Sequence, residues 1–205
     1  MIGILSVGLG NIGSLQSAIH NLGFDSKLVS GSDDFSEISH LILPGVGNYS
    51  AAISDLRSKK LDTQIINYAA SGRPLLGICL GMQLLSTSGE EGVCTQGLDL
   101  IAGQVVKIPS STKLRVPHMG WNDIEAKFDH PVFCGVRQGV DFYFVHSYHF
   151  KADSQDTVIS TVEYGSTYTA AIGQDNIIGT QFHPEKSQKN GVRILENFCF
   201  WDGKC

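Results

Sequence analysis

The feature that most constrains the fold is a unit repeated through the first half of the chain: a short apolar run, a glycine-bearing bend, then a stretch with helical spacing. Uninterrupted apolar runs need cover on both faces, so this repetition points to a parallel sheet lying between helices. Residues 1–7 are the first expected strand. Ile12, Leu15, Ala18, Ile19 and Leu22 then recur at helical spacing, with Asn11 as cap and Gly23 as stop. Residues 24–29 and 40–43 read as the next two strands, and the second runs into the turn Pro44-Gly45-Val46-Gly47. Residues 51–60 and 61–70 are helical in composition, and 74–78 form a further apolar strand.

The period changes over residues 97–150. LIAGQVVKI, PSSTKLRVPHMGW and the aromatic run DFYFVHSYHF read as extended or hairpin segments, which predicts a small β-rich elaboration at the sheet edge. Three short strands follow at 157–163, 169–172 and 177–182, and a last helix is expected to carry Val192, Leu195 and Phe198 on one stripe. No repeat, low-complexity tract or long linker divides the chain. Residues 1–205 are therefore read as one domain, an α/β flavodoxin-like three-layer sandwich with a mostly parallel central sheet.

With 205 residues, 42% of them apolar and 17% charged, such a core needs neither disulfides nor a metal to hold it. Fifteen basic residues against 20 acidic ones, a formal charge of -5 and no Lys/Arg run argue against nucleic acid as a partner. The five cysteines, at 79, 94, 134, 199 and 205, make no C-x-x-C pair and no secreted framework. Reduced cytoplasm is the expected compartment. The N-terminal stretch has no basic leader, and no apolar segment approaches the roughly 20 residues that cross a bilayer, so no membrane association is expected.

Three places could carry chemistry. In GICLG, residues 77–81, glycines flank Cys79 at the end of an apolar strand and before a helix, the pattern of a tight turn that lifts a nucleophile off a sheet. Free N–H groups at the following helix start would favour a thiolate and a developing oxyanion. A small buried hydrophobe is the other reading of Cys79. In QFHPE, residues 181–185, His183 precedes a proline and is biased to extended backbone, so that Glu185 can fall on the same side and orient the imidazole. A surface hydrogen-bonded pair is the alternative there. Both motifs sit at the C-terminal ends of expected strands, where open α/β sheets bind ligands, and together they compose a Cys-His-Glu nucleophilic triad.

The third place is a rival. Gly8, Gly10 and Gly13 match G-x-G-x-x-G after a strand and before a helix, with Asp25, Asp33 and Asp34 as acidic candidates for a nucleotide ribose. A plain βα turn is the competing reading, since Asp25 falls well short of the ~20-residue offset of that fingerprint. His146 and His149 sit in an aromatic, extended segment where a three-residue offset puts them on opposite faces, and no spaced ligand set recommends a metal. His118 and Asp141 read as ordinary surface or hydrogen-bonded groups, with service in a pocket or an interface as the alternative.

Five segments in order, LPGVG (43–47), LLGICLGMQLL (75–85), PHMGWN (117–122), YFVHSY (143–148) and QFHPEKS (181–187), resemble the class I (triad) glutamine amidotransferases, in particular the glutaminase subunits of imidazole glycerol phosphate synthase. The similarity runs nearly end to end. It implies hydrolysis of L-glutamine to glutamate and ammonia, with Cys79 as nucleophile, His183 as base and acid, Glu185 as its orienter, and no cofactor. It further implies an oxyanion hole from the Leu80 N–H and the turn Gly45-Val46-Gly47, and glutamine contacts at Gly81 and Gln83. The resemblance also implies a heterodimer with a (β/α)₈-barrel cyclase subunit, docked near Asn11, Trp121 and Asn122. That cyclase would use the ammonia to form imidazole glycerol phosphate and aminoimidazole carboxamide ribotide.

The family reads D-Y-G-x-G-N after its first strand, where this chain has Ser6-Val7-Gly8-Leu9-Gly10-Asn11. The lost acid and aromatic bear on the partner more than on the chemistry, so a paralogue that feeds ammonia into surface-sugar biosynthesis is a second expectation. A γ-glutamyl hydrolase or cysteine peptidase using the same triad, a non-enzymatic nucleotide-binding module and a pseudo-glutaminase scaffold are the remaining alternatives.

Overall fold

A computed structural model describes residues 1–6, 12–110, 114–127 and 129–204. The apolar runs of the first half form β1 (Ile2–Leu5), β2 (Ser26–Val29), β3 (His40–Gly45) and, after two helices, β4 (Leu75–Cys79). Between them lie α1 (Ile12–Asn21), α2 (Tyr49–Ser58) and α3 (Leu61–Ala70). β4 runs directly into the short α4 (Leu80–Leu84). The second half is mostly strand: β5 (Ser88–Gly89), β6 (Thr95–Gln96), β7 (Gly103–Lys107), β8 (His118–Ala126), β9 (Asp141–His146), β10 (Tyr148–Ala152), β11 (Val158–Glu163), β12 (Thr167–Gln174) and β13 (Ile177–Thr180). α5 (Gln188–Phe200) closes the chain.

Nine strands form one sheet in the order β2-β1-β3-β4-β13-β12-β11-β8-β9. The sheet is mixed. Pairings from β2 across to β13 are parallel, in the flavodoxin-like order, and those from β13 to β9 are antiparallel. A second sheet, β10-β7-β5-β6, supplies the small β-rich elaboration. Period-two alternation divides the core between the two faces. Ile4, Ile42, Leu76 and Ile78 pack with Leu15 and Ile19 of α1 and with Ile194, Leu195 and Phe198 of α5. Leu5, Leu41, Leu43 and Leu75 pack with Ile53 and Leu56 of α2 and Ile65 of α3. Each such side chain taken out of water contributes roughly 1.5–3 kcal/mol before conformational entropy is set against it.

Local signals fix the ends of these elements. Asn48 caps α2 through its Oδ1, which accepts from Ala51 N at 3.0 Å, and the Glu91 carboxylate accepts from Tyr49 N at 2.7 Å, placing an anion at the helix N-terminus. Gly23 stops α1 with φ +85°, as its position after the periodic stretch implied.

Two expectations need correction. The last helix buries Ile194, Leu195, Phe198 and Cys199, while Val192 points outward, 40% exposed, because the buried stripe is centred one residue row away. The aromatic run DFYFVHSYHF, expected as an extended or hairpin segment, is two strands that do not pair with each other: it breaks at Ser147, with β9 in the large sheet and β10 in the small one. His146 and His149 therefore belong to different sheets. Gly8, Gly10 and Asn11 lie outside the described residues, while Gly13 sits in α1. Asp34 is committed to structure, since its carboxylate accepts from Ser30 N and Gly31 N and pairs with Lys27 at 2.9 Å.

Candidate active site

The site lies where β3, β4 and β13 end. Cys79 terminates β4 with φ +55° and ψ -109°, a backbone state that costs a residue with a Cβ on the order of 1–3 kcal/mol. Its neighbours explain how the turn closes. A Cβ on Gly77 would come within 2.7 Å of Gly81 O and Met82 N, and one on Gly81 would run into Leu43 O. Both positions need glycine for close backbone approach, and the result is a thiol lifted above the strand end. Val145 O accepts from Sγ at 3.9 Å, and Gln181 Nε2 donates to Sγ at 3.7 Å.

His183 follows β13 by three residues, its backbone extended ahead of Pro184. Its Nδ1 lies 2.8 Å from Glu185 Oε1, and both side chains are almost fully buried. Three further hydrogen bonds hold this segment along the outer edge of β9: His183 N donates to Tyr143 O (2.9 Å), Tyr143 N donates to Ser187 Oγ (3.0 Å), and Ser187 Oγ donates to His183 O (2.6 Å). An edge strand that could template aggregation instead carries the histidine loop.

His183 Nε2 is buried and makes no hydrogen bond among the described residues. Burial by itself would push the imidazole pKa down. Hydrogen bonding and charge from the nearby Cys79 sulfur and the Glu185 carboxylate outweigh it and hold His183 well above its ordinary value, at about 10. Glu185, bonded to Nδ1, leaves Nε2 as the nitrogen that can exchange a proton with sulfur.

A cavity of about 290 Å³ opens over Cys79, lined in part by Val46, Gly47, Leu80, Gln83, Glu91 and Tyr148. Of the expected oxyanion residues, Leu80, Val46 and Gly47 border it, and Gly47 has the positive φ, +108°, that favours glycine. Gly45 is not in the cavity lining. It is the last residue of β3, in register with Cys79, and a Cβ there would press on Leu80 Cβ at 2.9 Å, so its small size serves packing. Gly81 is likewise a packing glycine beneath the elbow rather than a wall of the cavity. Gln83 does line the cavity, with Nε2 donating to Tyr148 O (2.9 Å) and Gln181 Oε1 (3.0 Å).

Trp121 and Asn122, expected together at a partner face, point to opposite faces of β8. Trp121 is 47% exposed beside Met119 at 62%, and its ring meets Tyr143 edge-on at 6.0 Å. Asn122 turns inward and donates to Glu163 O at 2.9 Å. Sequence reasoning passed over Glu91, Gln181 and Ser187 as individual groups; His118, expected as a surface or hydrogen-bonded group, is buried and hydrogen-bonded to His146. Ser187 stands within a quoted motif, but only the fold brings it against β9. Glu91 stands in no motif at all. Among the described residues no group of His, Cys, Asp or Glu is arranged to hold a metal, and no helix is long and apolar enough to cross a membrane.

A strand-end cysteine in a strained elbow and a buried His-Glu pair on the neighbouring strand end stand together on a flavodoxin-like sheet, and the chain belongs to the glutamine amidotransferase class-I family, whose model matches residues 4–201. Within it, the chain is 41% identical over 203 residues to imidazole glycerol phosphate synthase subunit HisH of Syntrophotalea carbinolica, covering 97% of this chain and 98% of that protein. It is 44% identical over 197 residues to the HisH subunit of Methanosarcina acetivorans, covering 95% and 96% respectively. Among solved structures, a glutamine amidotransferase superposes with a TM-score of 0.75 at 19% identity, covering 97% of each chain. PurLQS from Thermotoga maritima also gives a TM-score of 0.75, at 16% identity and with 97% of each chain covered. At such identities the structural matches speak for the fold alone.

Proposed function

We propose that this chain is the glutaminase subunit of an imidazole glycerol phosphate synthase, releasing ammonia from L-glutamine at Cys79 for use by a cyclase subunit in histidine biosynthesis. The observation that carries it is the convergence of Cys79 and the buried His183–Glu185 pair at adjacent strand ends.

His183 Nε2 takes the proton from Cys79, and Sγ attacks the carboxamide carbon of glutamine. The carbonyl oxygen becomes an oxyanion, received by the Leu80 N–H at the start of α4 and by the Val46–Gly47 turn. As the tetrahedral adduct collapses, the C–N bond breaks, His183 returns its proton to the leaving nitrogen, and ammonia departs from a glutamyl thioester. Water then gives a proton to His183 and attacks the thioester carbon; glutamate leaves as the C–S bond breaks and sulfur recovers its proton. The high proton affinity of His183 suits it to the first of these transfers, and the Glu185 carboxylate supports the imidazolium that results.

The cavity is at the small end for ligand sites, which favours one amino acid over an extended peptide. Within it, the Glu91 carboxylate is an anion suited to the substrate's α-ammonium, and the Gln83 amide group can fix its polar end.

Free ammonia at neutral pH is mostly protonated and no longer nucleophilic, so a glutaminase serving a synthase gains from a docked partner that receives it directly. We infer a (β/α)₈-barrel cyclase as that partner, in the cytoplasm, with residues 1–205 acting as one unit. The exposed pair Met119 and Trp121, on the β8 face shared with Tyr143 and Val145, is the apolar surface beside the site that suits such docking.

Glutamine hydrolysis assayed with and without the cyclase tests this reading. Wild type is expected to turn over, to be stimulated by the cyclase with its phosphorylated ligand, and to lose all turnover on Cys79→Ala while still binding the cyclase. Retained turnover in Cys79→Ala overturns the assignment of the nucleophile.

A further inference from the structure

Next to the triad, β8 and β9 set two buried histidines directly opposite one another, and the reaction described above uses neither. His118 and His146 are register partners, with His118 Nδ1 3.0 Å from His146 Nε2. The hydrogen bonds at the two ends of this pair fix where every proton sits. At one end His146 Nδ1 lies 2.8 Å from Tyr148 O, which can only accept, so Nδ1 carries the hydrogen and the Nε2 of the neutral ring is a lone pair. At the other end Asn122 Nδ2 gives its hydrogens to Glu163 O at 2.9 Å and His118 Nε2 at 3.3 Å, while Asp123 N donates to Asn122 Oδ1 and so fixes which way the amide faces. His118 Nε2 must therefore accept, and its Nδ1–H points at His146. The two ends reach the same assignment independently.

A second proton on either ring would set donor against donor. Burial pushes both imidazoles down, His118 to about 4 and His146 to about 3, and the charge on His183 opposes protonation of His146 as well. The His118 ring is also held by stacking between Phe144 at 4.7 Å and Tyr164 at 4.0 Å.

The chain ends on the reacting groups. Tyr148 O, which accepts from His146, accepts from Gln83 Nε2 too. Gln83 Nε2 is also bonded to Gln181, whose amide donates to Cys79 Sγ. Val145, next to His146, presents the carbonyl that faces the thiol.

We propose that His118 and His146 are positioning residues of the glutaminase site, a tautomer-locked imidazole pair that fixes the corner between β9 and β10 and, through its carbonyls, the placement of Cys79 and Gln83. The proposal rests on the glutaminase reading, and its test separates the two. Nitrogen-15 NMR of the histidine rings in the wild-type protein needs no turnover. At pH 7 both rings are expected as neutral Nδ1–H tautomers, the less common form in water; an Nε2–H or cationic ring at either position overturns the lock.

For function, His118→Phe keeps the stacked ring and removes the donor, leaving His146 Nε2 buried and unpaired. With each preparation normalised to Cys79 titrated by a thiol-reactive glutamine analogue, kcat is expected to fall about tenfold, and His118→Asn, whose amide nitrogen falls near Nδ1, to recover most of it. An unchanged kcat per titrated site in folded His118→Phe overturns the positioning role and leaves the glutaminase reading intact. Should that variant fail to fold, Asn122→Ala removes the outer donor at a partly exposed site. His146 still holds the Nδ1–H, so the ring is expected to keep its tautomer but, with no donor facing Nε2, to become cationic at a higher pH than in the wild type; a nitrogen-15 titration of His118 unchanged from the wild type overturns the proposal. Absence of any wild-type turnover would instead count against the glutaminase reading, with the ring tautomers still measurable.

Discussion

At the scale of single residues, backbone strain and proton affinity do separate work at the triad. Cys79 holds φ +55° although it carries a Cβ, so the cost is independent of its sulfur. Cys79→Ala retains that strain and Cys79→Gly releases it, against which glycine loses about 0.5–1 kcal/mol in backbone entropy. Chemical denaturation should therefore find the glycine variant more stable than the alanine variant by about 1 kcal/mol, with both inactive. A glycine variant less stable than alanine would show that the elbow is not strained.

His183 gives a pH signature with a definite sign. Its folded-state pKa, about 10, is raised above the ordinary 6.5, so proton binding favours the folded state. That contribution is complete below about 6.5 and is lost as pH rises through about 10. Glu185→Gln removes one of the two groups that raise it. Melting curves from pH 6 to 10.5 should fall less steeply with pH in this variant, and kcat should drop at least about a hundredfold because the imidazolium loses its support. An unaltered Tm slope would refute the role assigned to the carboxylate.

At the scale of elements, the strand-to-helix turn depends on glycines whose reasons differ. Gly81→Ala drives a methyl group into Leu43 O and should cost at least about 3 kcal/mol, the upper end of ordinary overpacking, with loss of glutaminase activity as the elbow opens. Gly13→Ala is the contrast. A Cβ there meets nothing within 4 Å, so the substitution within α1 should stabilise by about 0.5–1 kcal/mol. Urea titrations of the two variants decide both.

Elements whose signal is local were legible in the sequence: α3 spans Leu61–Ala70 as its composition implied, and the parallel strands stand where the apolar runs do. Elements whose identity depends on distant partners were not. The break at Ser147 follows from the pairing of β10 with β7 rather than with β9's neighbours, and no local propensity marks it. The buried stripe of α5 is chosen by what lies beneath the helix, and Val192 fits the helical period nearly as well as Ile194 does.

At the scale of the whole molecule, the site occupies one end of the parallel strands, and an exposed aromatic and a methionine stand on the sheet face beside it. A truncated central aromatic at an interface typically costs 2 kcal/mol or more. Trp121→Ala should thus weaken cyclase binding roughly thirtyfold in titration calorimetry. Unchanged affinity would move the docking face elsewhere.

By itself the sequence determined the parallel α/β core, the elbow at Cys79 and the pairing of His183 with Glu185. These are set by residue type and spacing over a few positions, and glycine, proline and apolar period have the same physical effect wherever they occur. Only the tertiary structure decided that Gly45 packs against Leu80, that Trp121 and Asn122 diverge, that Ser187 ties the histidine loop to β9, and that His118 meets His146. Each of these turns on which strands lie side by side and in what register. Register is a property of the assembled sheet, and no stretch of chain carries it alone.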